Sequence, residues 1–306
     1  MNGQKGATRL ITGDTGFVGR HALRAWPGAV GLAQLALGSV DLRNKPALLA
    51  VLKQVQPQEV VHLAGISFVP DAVRNPRLTY EVNFLGTLNL LEALAETGFN
   101  GRFLLVSSGD AYGLVTAAEL PIRETLPLRP RNPYAVSKAA AEALCYQWSQ
   151  TGPFEVMVAR PFNHIGPGQS AQFAIADFAR QVVEVAAGVR EPVLRTGNID
   201  VTRDFSDVQD VLSAYDALLK SGENGEVYNV CSGVERSVRS LIERLLSLAQ
   251  ADAVIAVDPQ RYRPAEQTRV SASHDKLTKC TSWQPTCDLD TTLLNLLHYW
   301  ENQIDK

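Results

Sequence analysis

Tyr134 and Lys138 lie four residues apart in YAVSK, which places a phenol and an ammonium one turn apart on the same face of a helix. A nearby ammonium favours the phenolate, so the spacing predicts a tyrosine able to exchange a proton with a carbonyl or an alcohol. Ser107 ends the apolar run RFLLVS and Ser108 follows it. That run reads as a buried strand, and its carboxyl end is where open α/β sheets place their ligands. Ser108 is the serine expected to donate to the same carbonyl oxygen, with Ser107 beside it on the substrate side.

A second constellation says what such a set would work with. The stretch ITGDTGFVGRH spaces Gly13, Gly16 and Gly19 three residues apart after a short apolar lead-in and before a helix-like run. Without Cβ atoms, Gly13 and Gly16 let the backbone turn tightly against a pyrophosphate, and Gly19 lets the helix lie close on the sheet. Thr15, Phe17 and Val18 ride on the same loop. The motif predicts a dinucleotide site, with NAD(H) and NADP(H) both open. The second strand, about Ala29 to Ala33, is followed by Gln34, and no acid occurs before Asp41 to select a ribose 2′-hydroxyl. Asp41 and Leu42 are placed to touch the adenine.

These residues need a scaffold, and the first half of the chain supplies one. Ala7–Thr12, Glu59–Ala64, Arg102–Ser107 and Phe154–Ala159 read as strands, and Phe17–Trp26, Thr79–Thr97 and Pro133–Gln150 as helices. Such alternation predicts a doubly wound parallel sheet, a Rossmann α/β fold, over residues 1–160. After Arg160 the texture turns to glycine- and proline-rich loops between helices at Ala171–Ala187, Asp207–Lys220 and Val238–Ala249, with a terminal helix carrying Leu289 to Trp300. Residues 161–306 are expected to form a smaller, mixed substrate-binding region that shares segments with the first.

The 306 residues suggest about two domains and a large core. With 45% hydrophobic and 20% charged residues the chain is ordinary for a globular protein. A net charge of −3 argues against nucleic acid or an anionic membrane as partner, so any anion must be held locally. No apolar run is long enough for a bilayer, and no signal-peptide core precedes the glycine loop, so a cytoplasmic enzyme is expected. Cys145, Cys231, Cys280 and Cys287 show no paired spacing, which predicts reduced, mostly buried thiols and no metal.

Taken in order, TGDTGFVG, Asp41-Leu42, HLAG at 62–65, Asn83, SSGDAYG at 107–113, YAVSK, RPFNHIGPGQ, RDF at 203–205 and RPAE at 263–266 resemble the extended short-chain dehydrogenase/reductase family over nearly the whole chain. The resemblance implies Ser108, Tyr134 and Lys138 as catalytic triad, with Lys138 also holding the nicotinamide ribose, and a coenzyme lying against Leu63, Ala64, Gly65 and Phe162. Asn83 fits a backbone or water contact at depth beside it. The nearest branch reduces the C4 ketone of GDP-4-dehydro-6-deoxy-D-mannose to GDP-D-rhamnose, and relatives pair two helices from each subunit into a four-helix homodimer.

Neighbouring branches differ in their acid/base groups. Sugar dehydratases carry a glutamate two residues after the catalytic Ser or Thr, often after another polar residue. Here those places hold Asp110 and Gly109, which favours simple reduction while leaving a GDP-mannose 4,6-dehydratase, another dehydratase or epimerase, or a non-catalytic NAD(P) sensor as alternatives. For a nucleotide diphosphate, Arg180, Arg203 and Arg263 are candidate phosphate forks, with Glu266 for ribose hydroxyls. Asn163 and His164 are placed for phosphate or sugar. Guanine, and rhamnose rather than 6-deoxytalose, are implied by the resemblance.

Overall fold

The structure, a computed structural model, describes residues 8–35, 40–258, 260 and 267–304. In chain order the strands are β1 (Arg9–Thr12), β2 (Val30–Gly31), β3 (Glu59–His62), β4 (Arg102–Val106), β5 (Glu155–Pro161), β6 (Asn163–Ile165), β7 (Val193–Thr196), β8 (Thr202–Asp207), β9 (Val227–Val230), β10 (Glu235–Ser237) and β11 (Val254–Val257). Six form one parallel sheet in the order β2-β1-β3-β4-β5-β9.

Alternate residues of each strand feed opposite faces of this sheet. Leu10, Val60, Phe103, Leu105 and Val156 pack with Leu48, Leu52, Leu90, Leu94 and Cys145 on one side. Ile11, Val61, Leu104 and Met157 pack with Ala22, Val211, Tyr215 and Leu218 on the other. Covering both faces is what the continuous apolar runs require, and it yields the doubly wound α/β fold.

The smaller region is mixed. In it β10 runs antiparallel to β8, β6 runs parallel to β8, and β7 pairs with β11. Helices Ala174–Ala186, Val238–Leu248 and Leu289–Ile304 close a separate core around Phe178, Val182, Ile242, Leu293 and Leu296. The chain crosses back after residue 160. Strand β9 and the helices Val208–Ser221 and Asp275–Thr281 pack on the dinucleotide sheet.

Three local details differ from the sequence reading, the first two with clear causes. The stretch expected as one helix, Thr79–Thr97, divides into Pro76–Tyr80, a π-helical turn Glu81–Leu85 and Gly86–Glu96. Such a bulge inserts a residue and turns Asn83 inward. The second strand stops at Gly31, because the Asp14 carboxylate accepts from the Ala33 N–H at 3.0 Å and opens the helical turn Leu32–Leu35. All four cysteines are free thiols, but Cys287 is exposed and Cys280 half-buried. Among the described residues no helix is long and apolar enough to cross a membrane, and no cluster of His, Cys, Asp or Glu is placed to hold a metal.

Candidate active site

The glycine loop is built from close approaches that no side chain would permit. Gly13 has φ +72°, and a Cβ there would lie 2.7 Å from the Ala64 nitrogen. A Cβ on Gly19 would lie 2.2 Å from the Gly13 carbonyl oxygen, so the helix Phe17–Ala25 presses on the turn that precedes it. Its N-terminus leaves backbone N–H groups for a phosphate. Gly13, Asp14, Thr15, Leu32, Ala33, Val40, Leu42 and Ala64 line an open recess of about 140 Å³. The cradle and its apolar floor fit the pyrophosphate and adenosine of a dinucleotide.

Asp41 is not part of that lining. It is exposed, and Arg43 bonds its carboxylate at 2.6 Å and holds it below the usual carboxylate range. Leu42 reaches the recess alone. Val18 and Leu63 pack into the adjoining core. Phe17 stacks on His164, ring centroids 6.1 Å apart, and His164 Nδ1 donates to the Phe162 carbonyl at 3.0 Å. His164 thus faces the glycine loop, which accounts for it without a sugar.

Tyr134, Lys138 and Ser108 do converge. The helix Pro133–Thr151 starts on an Asn132 side chain that accepts from the Ala135 N–H, with Pro133 opening its first turn. The Ser108 Oγ accepts from the Asp110 N–H at 3.1 Å and lies within hydrogen-bond reach of the Tyr134 phenol. Lys138 Nζ donates to the Val106 carbonyl at 2.7 Å and stands 6.0 Å from the Tyr134 ring centre. A Cβ on Gly65 would lie 3.7 Å from that nitrogen.

The electrostatics differ from the simple ammonium–phenol picture. Burial, reinforced by Asp110, pushes the Tyr134 phenol above its ordinary value, and the Ser108 bond only partly opposes this. Burial also brings the Lys138 ammonium down to about 8, while Glu142 works against that fall. Tyr134 is therefore a retained proton at neutral pH, suited to give rather than to take.

Asn83 is a clasp. Its Oδ1 accepts from the Ile66 N–H at 2.7 Å, and its Nδ2 donates to the Ile66 carbonyl and to Ser137 Oγ. Ser137 in turn donates to the Tyr134 carbonyl. Behind it stands His62, a residue with no role assigned from the sequence. Thr12 donates to His62 Nδ1, His62 Nε2 donates to Thr87, and Thr87 donates to the Asn83 carbonyl. Burial and then Lys138 drive the His62 imidazolium down to about 3, so the ring is neutral with one tautomer. One bonded path joins the glycine loop to the tyrosine helix.

Ser107 faces away from the cleft. It is buried and donates to Glu142, whose carboxylate is gripped by Arg160 at 2.5 and 3.0 Å. Arg160 also donates to the Tyr112 hydroxyl, and Tyr112 donates to Asn229. Gly109 lies under Phe162, and a Cβ on it would meet that ring at 2.8 Å. Phe162 stacks on Tyr112 as well, so it is fixed from both sides.

The substrate candidates divide. Asn163 is exposed on β6, and Asp110 is close enough to act on Tyr134. Arg203 lies on β8 and donates to the Thr202 carbonyl. Arg180, expected as a phosphate fork, is taken by Asp177 and Glu184 of its own helix at 2.6 and 2.7 Å. Helical spacing three and four residues apart made that pairing available from the sequence. Arg263 and Glu266 lie outside the described residues.

Comparison with known proteins agrees with this geometry. Residues 22–295 match a family model described as GDP-mannose 4,6 dehydratase. GDP-6-deoxy-D-mannose reductase of Pseudomonas aeruginosa is 51% identical over 298 residues, covering 96% of this chain and 97% of that one. A GDP-mannose 4,6-dehydratase from Vibrio cholerae is 28% identical, over 80% of this chain and 73% of its own length. A solved structure of RMD from Pseudomonas aeruginosa complexed with NADPH superposes with a TM-score of 0.91 at 48% identity, covering 97% of this chain and 99% of that one. UDP-glucose 4-epimerase of Thermus thermophilus, in complex with NAD, superposes at 0.83 with 30% identity, covering 96% and 98%. With a glycine cradle, a Ser–Tyr–Lys cluster and matches along nearly its whole length, the chain belongs to the GDP-mannose 4,6 dehydratase family of extended short-chain dehydrogenase/reductases.

Proposed function

We propose that the chain is an NADPH-dependent reductase of the C4 ketone of GDP-4-dehydro-6-deoxy-D-mannose, forming GDP-D-rhamnose, an activated sugar of the kind lipopolysaccharide assembly consumes. The observation that carries the choice among neighbouring chemistries is Gly109 closed under Phe162. Elimination at C5 and C6 needs further acid/base groups beside the serine, and no side chain fits at 109. Asp110 is then a single carboxylate beside Ser108, without the partner at 109 that elimination would use, and the site suits one hydride and one proton. Bound NADPH supplies the hydride, and the glycine cradle and the recess at Leu42 and Ala64 would hold it. Tyr134 gives its proton to the forming alkoxide, Ser108 donates to the same oxygen, and Lys138 holds its charge beside both and reaches the nicotinamide ribose. Arg203, Asn163 and Asp110 serve the nucleotide sugar, and the RPAE motif adds Arg263 for phosphate and Glu266 for ribose hydroxyls. A cytoplasmic location, where reduced coenzyme is made, is part of this reading.

The test is direct. With GDP-4-dehydro-6-deoxy-D-mannose and NADPH, reduced-nicotinamide absorbance is expected to fall as GDP-D-rhamnose forms. With GDP-mannose alone nothing should change. Formation of a keto sugar from GDP-mannose without added coenzyme would make the chain a dehydratase, and coenzyme binding without turnover of either sugar would make it a sensor.

A homodimer through the helices of residues 76–96 and Pro133–Thr151 completes the proposal. Tyr80, Leu85, Val136 and Tyr146 are exposed apolar side chains on these helices, a surface that pairing would cover. Sedimentation is expected to give twice the chain mass, and charge introduced by Val136→Glu with Tyr146→Glu should return the monomer. A monomeric parent protein overturns the dimer.

A further inference from the structure

Tyr134, Lys138 and Glu142 follow one another at four-residue steps down a single face of the helix Pro133–Thr151. Glu142 is 5% exposed and Arg160, its partner from β5, is also 5% exposed. A buried ion pair of this kind is close to neutral for stability when compared with apolar groups of the same volume. Its presence one turn behind a catalytic lysine therefore needs a reason other than stability.

The groups around Lys138 narrow that reason. On its own helix it meets Tyr134, Glu142 and Cys145; β3 brings His62, the π-turn brings Asn83, and β4 brings the Val106 carbonyl. His62 is neutral, while the Tyr134 phenol and the Cys145 thiol are pushed up by burial and stay protonated. Among the described residues this leaves Glu142 as the carboxylate acting on the Lys138 ammonium. The same carboxylate accepts from Ser107, the neighbour of Ser108.

We propose that Glu142 is a positioning residue of the reductase: from one turn below, its carboxylate keeps Lys138 charged and, through Ser107, fixes the end of β4 that presents Ser108. Arg160 orients that carboxylate, and Tyr112 and Asn229 orient Arg160. The proposal rests on the reductase reading, and its test separates the two.

The pH profile of turnover is the first readout. The parent enzyme is expected to lose activity as pH rises through about 8, where Lys138 gives up its proton. Glu142→Gln, which keeps a hydrogen-bond acceptor for Ser107 but not the charge, should move that limb about one pH unit lower. Glu142→Asp should leave it near the parent position. Should Arg160 left alone prevent folding, Glu142→Gln with Arg160→Met removes both charges, and its limb should still lie below the parent's.

The second readout needs no activity. Lys138 titrates lower in the folded protein, at about 8, than its ordinary 10.5, so at this residue the unfolded chain binds more protons between these values and the Lys138 contribution to stability rises with pH across that window, against the opposite contribution of buried phenols and thiols such as Tyr134 and Cys145. Read as the stability of each protein less that of its Lys138→Met counterpart, which removes the phenol and thiol contributions, the rise should begin at lower pH in Glu142→Gln than in the parent. An alkaline limb and a stability window that both stay in place in the Gln variants overturn the proposal. Absence of sugar reduction by the parent enzyme overturns the reductase reading, while the stability curves still decide the coupling of Glu142 to Lys138.

Discussion

Tyr134→Phe is expected to bind NADPH as the parent does and to turn over GDP-4-dehydro-6-deoxy-D-mannose roughly 10²–10⁴-fold more slowly, the range for losing a general acid. The ring is 8% exposed and packed, so phenylalanine keeps the volume and removes only the hydroxyl. Ser108 keeps its bond from the Asp110 N–H, and the Asn83–Ser137 clasp on the Tyr134 carbonyl is untouched because it uses the backbone. The deficit should therefore fall on kcat, with coenzyme affinity measured by fluorescence quenching unchanged. Reduction needs a proton at the instant the alkoxide forms. Burial and Asp110 hold that proton on the phenol, so it is available throughout the neutral range. A variant with turnover within about threefold of the parent would remove Tyr134 from the chemistry.

The largest effect on stability is expected at Arg160. Arg160→Met leaves the Glu142 carboxylate buried with Ser107 as its remaining partner and takes a donor from Tyr112. Removing one member of a buried pair costs about 3–5 kcal/mol, because the other charge stays desolvated without its hydrogen-bonded partner. Urea denaturation should show a lower midpoint with little change in slope. Adding Glu142→Gln should recover most of the loss, since no uncompensated charge is then left inside. A single variant as stable as the parent would mean that water reaches Glu142.

Much of this was legible in the sequence, and the exceptions share a cause. Gly13, Gly16 and Gly19, the apolar runs of β3, β4 and β5, and the YAVSK spacing all report local geometry, and local geometry is what sequence periodicity encodes. Arg180, expected as a phosphate fork, has Asp177 and Glu184 at helical distance, and both pair with it. Asn83 was expected at depth, yet the π-turn that points it there comes from packing, with Gly86 pressed against Leu42, where a Cβ would lie 2.8 Å from that side chain. His62 and Arg160 open the HLAG and RPFNHIGPGQ motifs without a role that the sequence alone assigns, and Glu142 carries no motif. Their partners are Thr12 and Thr87, Ser107, and Tyr112, residues brought near only when strands and helices meet. A glutamate on the inward face of a helix is nevertheless a readable sign, since an acid placed there must have a partner.

The position of β9 bears on how the protein is made. When a ribosome has released residues up to 161, β5 is complete but its outer edge has no neighbour, because β9 at Val227–Val230 has not been synthesised. The helix Val208–Ser221, which shields Ile11, Leu104 and Met157, is equally absent. The nascent N-terminal half therefore carries an open strand edge and a bare oily face, a sticky intermediate that only the later segment can quench. Chain termination in this interval is expected to yield aggregates rather than a working coenzyme module, which light scattering of a chain ending at residue 161 would check.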